Sequence, residues 1–228
     1  MSNKLTYLLI DLGTILVPFI FSFHSKLNFH RTWKAYWPAN LIVTLLFIAW
    51  DMLYTKIGVW GFNENYTCGL KISNLPIEEV LFFICVPYAS VFTYHCFKLF
   101  FRNIKINQFY VSVFLVIGLS ITGLIFVSKL YTAVTFLSLS CLIIYLSLFA
   151  KAKWLPHFYF SYLIILVPFF IVNGILTGSW IDEPIVWYNN TENMNVRILT
   201  IPFEDIFYGM LLLLLNTWLY ERNLQKGS

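Results

Sequence analysis

A chain of 228 residues that is 59% hydrophobic, 20% aromatic and 11% charged, with a mean hydropathy of +0.74, lies outside the balance of a soluble domain. The formal net charge of +4 is accounted for by positive-inside bias and attraction to anionic headgroups, so no nucleic-acid partner is expected. This composition predicts an all-α, polytopic transmembrane helical bundle.

A helix needs about 17–25 mostly apolar residues to cross a bilayer. Seven stretches qualify in chain order: residues 5–23, 37–54, 77–97, 109–127, 131–149, 158–176 and 203–220. Asp11 and Pro18 interrupt the first and no small-residue cleavage pattern follows before His24, so it reads as a spanning helix rather than a cleaved signal. Lys26, Arg31, Lys34, Lys98, Arg102, Lys105, Lys151, Lys153, Arg222 and Lys226 fall on one face. Lys4, Lys56, Lys71, Lys129 and Arg197 fall on the other, which predicts an N-outside, C-inside orientation.

Cys68, Cys85, Cys96 and Cys141 share no metal-type spacing and read as small buried apolar residues, while His24, His30, His95 and His157 are scattered. Neither G-x-G-x-x-G nor G-x-x-x-x-G-K-[ST] occurs, so no nucleotide-bound cofactor and no metal are expected.

Pro76-Ile77-Glu78-Glu79 and Pro202-Phe203-Glu204-Asp205 each open an apolar segment. Carboxylates there cost free energy to keep ionised and mark a functional site. Upstream, Asp51-Met52-Leu53-Tyr54-Thr55 aligns with Asn173-Gly174-Ile175-Leu176-Thr177. Val59-Trp60-Gly61-Phe62-Asn63 aligns with Val186-Trp187-Tyr188-Asn189-Asn190 after a gap near residues 181–185. Lys71 and Arg197 each stand five residues before their proline, and Phe82 and Tyr208 six after it. The pattern predicts a tandem duplication, with a first repeat over 1–100, a linker transmembrane helix over 101–129 and a second repeat over 130–228. An odd linker crossing gives both three-helix copies the same direction, so Glu78, Glu79, Glu204 and Asp205 meet on one face. Parallel repeats also build carriers, so side chains must separate the two.

Proline followed by acids in the first turn is ordinary helix-start chemistry. The recurrence of Asn63/Asn190 and Lys71/Arg197 is not required by a cap. Aromatic residues Trp60, Phe82, Phe83, Trp187, Phe207 and Tyr208 cluster around the motifs in sequence. Aromatic faces stabilise a cation by up to ~2 kcal/mol when water is absent, so acids beside them suit a reaction through a carbocation.

The blocks Trp50-Asp51, Thr55, Gly58-Val59-Trp60-Gly61-Phe62-Asn63 and Leu75-Pro76-Ile77-Glu78-Glu79-Val80-Leu81-Phe82-Phe83, echoed by Pro202-Phe203-Glu204-Asp205, resemble the membrane-integral lycopene cyclase domain family in its fused tandem form. The resemblance implies lycopene β-cyclase activity, an isomerase that closes the linear ends of a carotenoid held in the bilayer, without net redox change and without a cofactor. It implies Glu78 or Glu204 as proton donor and Glu79 or Asp205 as acceptor. Trp60, Asn63, Phe82, Phe83, Trp187, Asn190, Phe207 and Tyr208 would contact substrate, with Lys71, Arg197 and Asp51 as supporting charges. Asp205 departs from the second Glu of the first copy, so the halves are expected to differ in role. A bacterial cell membrane is the expected location. Other readings are a cyclase making a different ring or using a longer carotenoid, a proton-coupled carrier and a structural membrane subunit.

Overall fold

The computed structural model describes residues 3–226; residues 1–2 and 227–228, the outer ends of the two expected repeats, lie outside it. Among the described residues seven α-helices follow in order: α1 (Thr6–Phe21), α2 (Trp33–Ile57), α3 (Ile77–Phe100), α4 (Gln108–Ile125), α5 (Leu130–Ile144), α6 (Leu155–Leu176) and α7 (Phe203–Lys226). A π turn over Tyr145–Phe149 continues α5. Each expected span falls on one of these helices.

Among the described residues, six helices are long and apolar enough to cross a membrane by length and composition. The seventh, α7, has 24 residues, but Glu204 and Asp205 open it and Lys226 closes it. Its middle, Met210 to Leu214, is buried against neighbouring helices, so it needs less lipid-facing apolar surface. By contrast, α1 buries only Tyr7 and Asp11 and turns Leu9, Leu12, Leu16, Val17 and Ile20 outward, as a lipid-facing helix does. Prolines at 18, 38, 87 and 168 lie inside helices, tolerated where neighbouring helices satisfy the freed carbonyls. At the C-terminal end of α1, the Ser22 hydroxyl and backbone N–H both donate to Pro18 O, at 2.7 and 3.0 Å. Gly58, at φ 77°, ends α2 in a left-handed conformation that glycine adopts without a Cβ penalty.

The packing repeats. Helix α1 lies on α3 as α5 lies on α7, and α2 lies on α7 as α6 lies on α3. The linker α4 packs chiefly on α5, with Ser120 and Ser140 hydroxyls 2.7 Å apart and the Ser112 hydroxyl 2.7 Å from Tyr159. Where α2, α3 and α7 cross, Asn40 donates to Phe83 O and Asn216 Oδ1, both at 3.2 Å. Thr44 donates to Phe83 O at 2.9 Å, so this polar seam inside an apolar core is largely satisfied.

Among the described residues six short strands sit at the helix ends: β1 (Trp60–Phe62), β2 (Lys71–Ile72), β3 (Leu75–Pro76), β4 (Val186–Tyr188), β5 (Arg197–Ile198) and β6 (Ile201–Pro202). β2–β3 and β5–β6 are hairpins leading into α3 and α7, whereas β1 and β4 pair antiparallel across the two halves. Gly61 opposes Trp187 in that pair, and the indole lies where a Cβ on Gly61 would stand.

The chain is internally repeated, and the copies coincide in their hydrogen bonds at a constant offset of 126 from Val59/Ile185 onward. Asn63 N donates to Ile185 O and Asn189 N donates to Val59 O, both at 2.8 Å. Asn63 and Asn189 each accept the N–H two residues on, at 3.0 Å. Ser73 and Leu199 share left-handed φ values of 57° and 58°. The structural register therefore places Asn63 on Asn189 and Gly61 on Trp187. It corrects by one residue the sequence pairing of Asn63 with Asn190 and Trp60 with Trp187. Identity of side chains favoured the shifted alignment because the two tryptophans and the second asparagine lie one position along. The shift also shortens the inserted segment, which falls between the end of α6 and β4.

Candidate active site

The N-termini of α1, α3, α5 and α7 and the C-termini of α2 and α6 meet at one end of the bundle. Beneath the β1–β4 pair they enclose a cavity of about 530 Å³ whose walls include Asp51, Glu79 and Asp205. Successive helix residues diverge by ~100°, so only one acid of each motif can face this space. The second acid of each pair does so.

Glu79 Oε2 accepts a hydrogen bond from Tyr7 Oη at 2.5 Å. In the second copy Tyr131 Oη donates to Asp205 Oδ1 at 2.6 Å, repeating the Tyr7 bond from α5. Asp205 Oδ2 also accepts from Asn173 Nδ2 at 2.8 Å and Tyr188 Oη at 2.9 Å. Burial first, and the Asp205 charge second, push the Tyr188 phenol well above its usual value, so it remains a neutral donor. In the first copy Asp51 stands where Asn173 stands in the second. Its Oδ1 accepts from Trp60 Nε1, and Oδ2 has no protein partner. The halves thus share a scaffold and differ in polarity: Asp205 accepts three side-chain hydrogen bonds, and Glu79 accepts one beside another carboxyl.

The expected donors, Glu78 and Glu204, do not line the cavity. Both are fully buried, and each Oε1 accepts a backbone N–H ten residues earlier: Cys68 N for Glu78 and Met194 N for Glu204, both at 2.7 Å. Thr132 Oγ1 also donates to Glu204 at 2.5 Å. Their geometry is that of two equivalent clamps that fasten the hairpin loops onto α3 and α7. The cavity wall thus carries the second acid of each motif, in place of the Glu78 and Glu204 expected there.

Aromatic rings form much of the remaining wall. Trp60, Phe82, Tyr131, Tyr188 and Tyr208 all line the cavity. Trp60 and Tyr131 centroids are 5.1 Å apart, and Trp60 and Tyr208 are 5.9 Å apart. The other expected contacts are elsewhere. Phe83 packs behind the wall against Phe47 at 5.9 Å, and Phe207 faces Phe136 at 4.9 Å. Trp187 is 45% exposed over Gly61. Asn63 donates to Glu183 at 2.8 Å and Asn190 accepts from Arg197 at 2.9 Å, both at the exposed rim.

The supporting-charge expectation divides in the same way. Asp51 is in the wall, but Lys71 pairs with exposed Glu64 at 2.5 Å; that hydrogen bond holds the Glu64 carboxyl below its usual value. Arg197 donates to Thr200 O at 2.6 Å and stands 5.8 Å from the Tyr188 ring centre, so it touches Asp205's partner and not Asp205. Exposed ion pairs contribute little. Lys71→Ala should therefore leave the fold undisturbed, which a thermal midpoint equal to wild type would check.

Sequence reasoning missed Tyr7, Tyr131 and Asn173 as partners of the acids. The dipeptides Lys4-Leu5 and Lys129-Leu130, each followed closely by a tyrosine, were a legible signal for the first two. Among the described residues no cluster of His, Cys, Asp and Glu could hold a metal ion.

A duplicated helical membrane protein with three carboxyls around one buried, aromatic-walled chamber is the class defined by this fold and site. The lycopene cyclase family description matches residues 4–97 and 128–222, and the chain belongs to that family. The two matched segments correspond to the two copies and leave out α4. A bifunctional lycopene cyclase/phytoene synthase of Aspergillus niger is 33% identical over 60 residues, covering 25% of this chain and 10% of that protein. The chain thus matches about a tenth of the length of this curated relative. No solved structure matches.

Proposed function

We propose that this protein is a carotenoid cyclase, an intramolecular lyase of the isomerase class, which closes the linear ends of lycopene to β-ionone rings. The observation that carries the reading is the placement of Glu79 and Asp205, in unlike hydrogen-bonding settings, on one aromatic-walled cavity. Membership of the lycopene cyclase family supports it.

In the proposed reaction Glu79 protonates C2 of a terminal C1=C2 bond, leaving a tertiary cation at C1. The C5=C6 π electrons form the C1–C6 bond and move the cation to C5. Asp205, held by three donors that suit an ionised carboxylate, takes the C6 proton and restores the C5=C6 bond. No electrons are lost, and the proton taken by Asp205 balances the one Glu79 gave. Trp60, Phe82 and Tyr208 supply ring faces for the travelling charge, each worth up to ~2 kcal/mol where water is excluded.

The cavity falls in the usual range of ~300–1,000 Å³ for small-molecule pockets. It suits an end group, with the rest of the polyene trailing toward lipid. Its wall continues along α1 and α6 past Gly13, Pro18, Pro168 and Val172. Leu9 and Ile171, also in that wall, are 64% and 54% exposed, so the seam between α1 and α6 is the proposed route from the bilayer. A Cβ at Gly13 would meet nothing within 4 Å, and phenylalanine has a helix propensity better than glycine's by roughly half a kcal/mol. Gly13→Phe should fold and yet obstruct the seam, lowering ring formation while the thermal midpoint stays at or above that of wild type.

The activity is tested by expressing the chain in a lycopene-accumulating host and separating the pigments. Appearance of β-rings supports the reading. Linear lycopene alone, from folded protein in every lipid condition tried, would sink it. Transport of protons with no pigment change would favour the carrier.

A further inference from the structure

The opposite end of the bundle carries a second cavity, of about 520 Å³, between the ends of α3 and α7 and the turn joining α5 to α6. Lys98, Lys151, Lys153 and Arg222 line it, from three separate parts of the chain. Lys98 is neutralised by Glu221 at 2.5 Å, and Glu221 also accepts from Tyr94 Oη at 2.7 Å. Among the described residues, Lys151, Lys153 and Arg222 have no ion-pair partner. Three uncompensated cations therefore share one concavity, a disposition that repels itself unless an anion occupies it.

The depth of the cavity identifies the kind of anion. Glu79 and Lys98 are 19 residues apart on α3, which at 1.5 Å per residue is about 28 Å, close to a bilayer's hydrocarbon thickness. The cations thus sit at the headgroup level of the face opposite the carboxyl chamber. Trp154 and Trp218 line the same cavity, and tryptophan rings are enriched at that level. His157 is anchored through Nε2 to Phe101 O at 3.0 Å, tying the start of α6 to the end of α3. Lys151 is in the left-handed region at φ 48°, a conformation uncommon for residues other than glycine and asparagine, and there it borders the concavity.

We propose that this cavity binds the phosphate of an anionic phospholipid, with the glycerol and acyl chains lying along the apolar surface beside Trp154 and Trp218. Basic pockets between helices at the headgroup level recognise such lipids through phosphate charge. The assignment is independent of the cyclase reading, since it uses no residue of the carboxyl chamber.

The test uses the full chain in detergent, stripped of lipid and reloaded with phosphatidylglycerol or phosphatidylcholine, with retained lipid counted by native mass spectrometry. The wild-type chain should retain phosphatidylglycerol in clear preference to phosphatidylcholine. The triple variant Lys151→Gly, Lys153→Gln, Arg222→Gln should hold it roughly a hundredfold more weakly, since each cation near an anionic headgroup contributes about fivefold. Glycine suits the left-handed position, and the Lys98–Glu221 pair is untouched, so the variant should fold; a thermal midpoint equal to wild type verifies this. A parallel arm adds inorganic phosphate alone. Equal retention of both lipids, equal retention by the folded triple variant, or stabilisation by inorganic phosphate with no further effect of phosphatidylglycerol would each overturn the lipid assignment.

Discussion

Glu79→Gln is expected to lower ring formation by about 10²–10⁴-fold, the usual contribution of a positioned general acid, whereas Glu78→Gln should retain activity. The two residues are adjacent and both buried, so composition and position do not separate them. Their partners do. Glu79 faces the cavity and accepts from Tyr7. A glutamine there keeps the shape and an acceptor oxygen but has no acidic proton to give. Glu78 uses Oε1 to accept the Cys68 N–H, and a glutamine keeps that acceptor. Glu78→Leu would remove it and leave a part-buried N–H without its carboxylate, at a cost of about 1 kcal/mol, seen as a lower thermal midpoint together with lost turnover. Rescue of Glu78→Leu by Gln, with no rescue of Glu79→Ala by Gln, is the expected pattern. A chain that tolerates Glu79→Gln and fails with Glu78→Gln would return the proton-donor role to Glu78.

That contrast marks how far the sequence could be read. Seven helices, the duplication and the four-carboxylate motif follow from hydropathy and spacing, because a bilayer allows few alternatives to helices. Which acid of each pair faces the chamber depends on helix rotation. That rotation turns the first acid of each pair to the loop N–H groups of Cys68 and Met194, contacts that no periodicity reveals. The same cause displaced Lys71 and Asn63 from the expected site. They stand near the motif in sequence, but Lys71 lies in the β2–β3 hairpin itself and Asn63 just after β1, and both face the rim, where Glu64 and Glu183 meet them. Tyr7 and Tyr131 were legible as a matched pair, but not as partners of the acids, for the opposite reason. They come from α1 and α5, more than 70 residues away in sequence from the acids they serve. Asp51 and Asn173 were legible as a matched pair, and their positions beside Glu79 and Asp205 give the chemical difference that the Glu-to-Asp change between copies hinted at.

The second large effect is expected at Asp205. Asp205→Asn should abolish ring formation to about the same extent as Glu79→Gln, and it should also destabilise the fold. Tyr131, Tyr188 and Asn173 all donate to this carboxylate. An asparagine offers one oxygen and turns an N–H₂ toward at least one of those donors, so a buried polar pair is left unmet at about 1–3 kcal/mol. Asp205→Glu separates the two losses. It restores a carboxylate, as the first copy has at Glu79, but extends it by one C–C bond of about 1.5 Å. That variant should recover measurable turnover and shift the balance of ring types, because the base then sits nearer a different proton of the C5 cation. Tyr131→Phe removes a single donor to a charged acceptor, worth about 1.5–3 kcal/mol, and should weaken turnover by roughly 10–100-fold while Tyr188 and Asn173 keep Asp205 in place. Pigment analysis of the three variants should place Asp205→Asn below Tyr131→Phe in turnover, with Asp205→Glu distinguished by its products. Unchanged activity in folded Asp205→Asn would remove this residue as the proton acceptor.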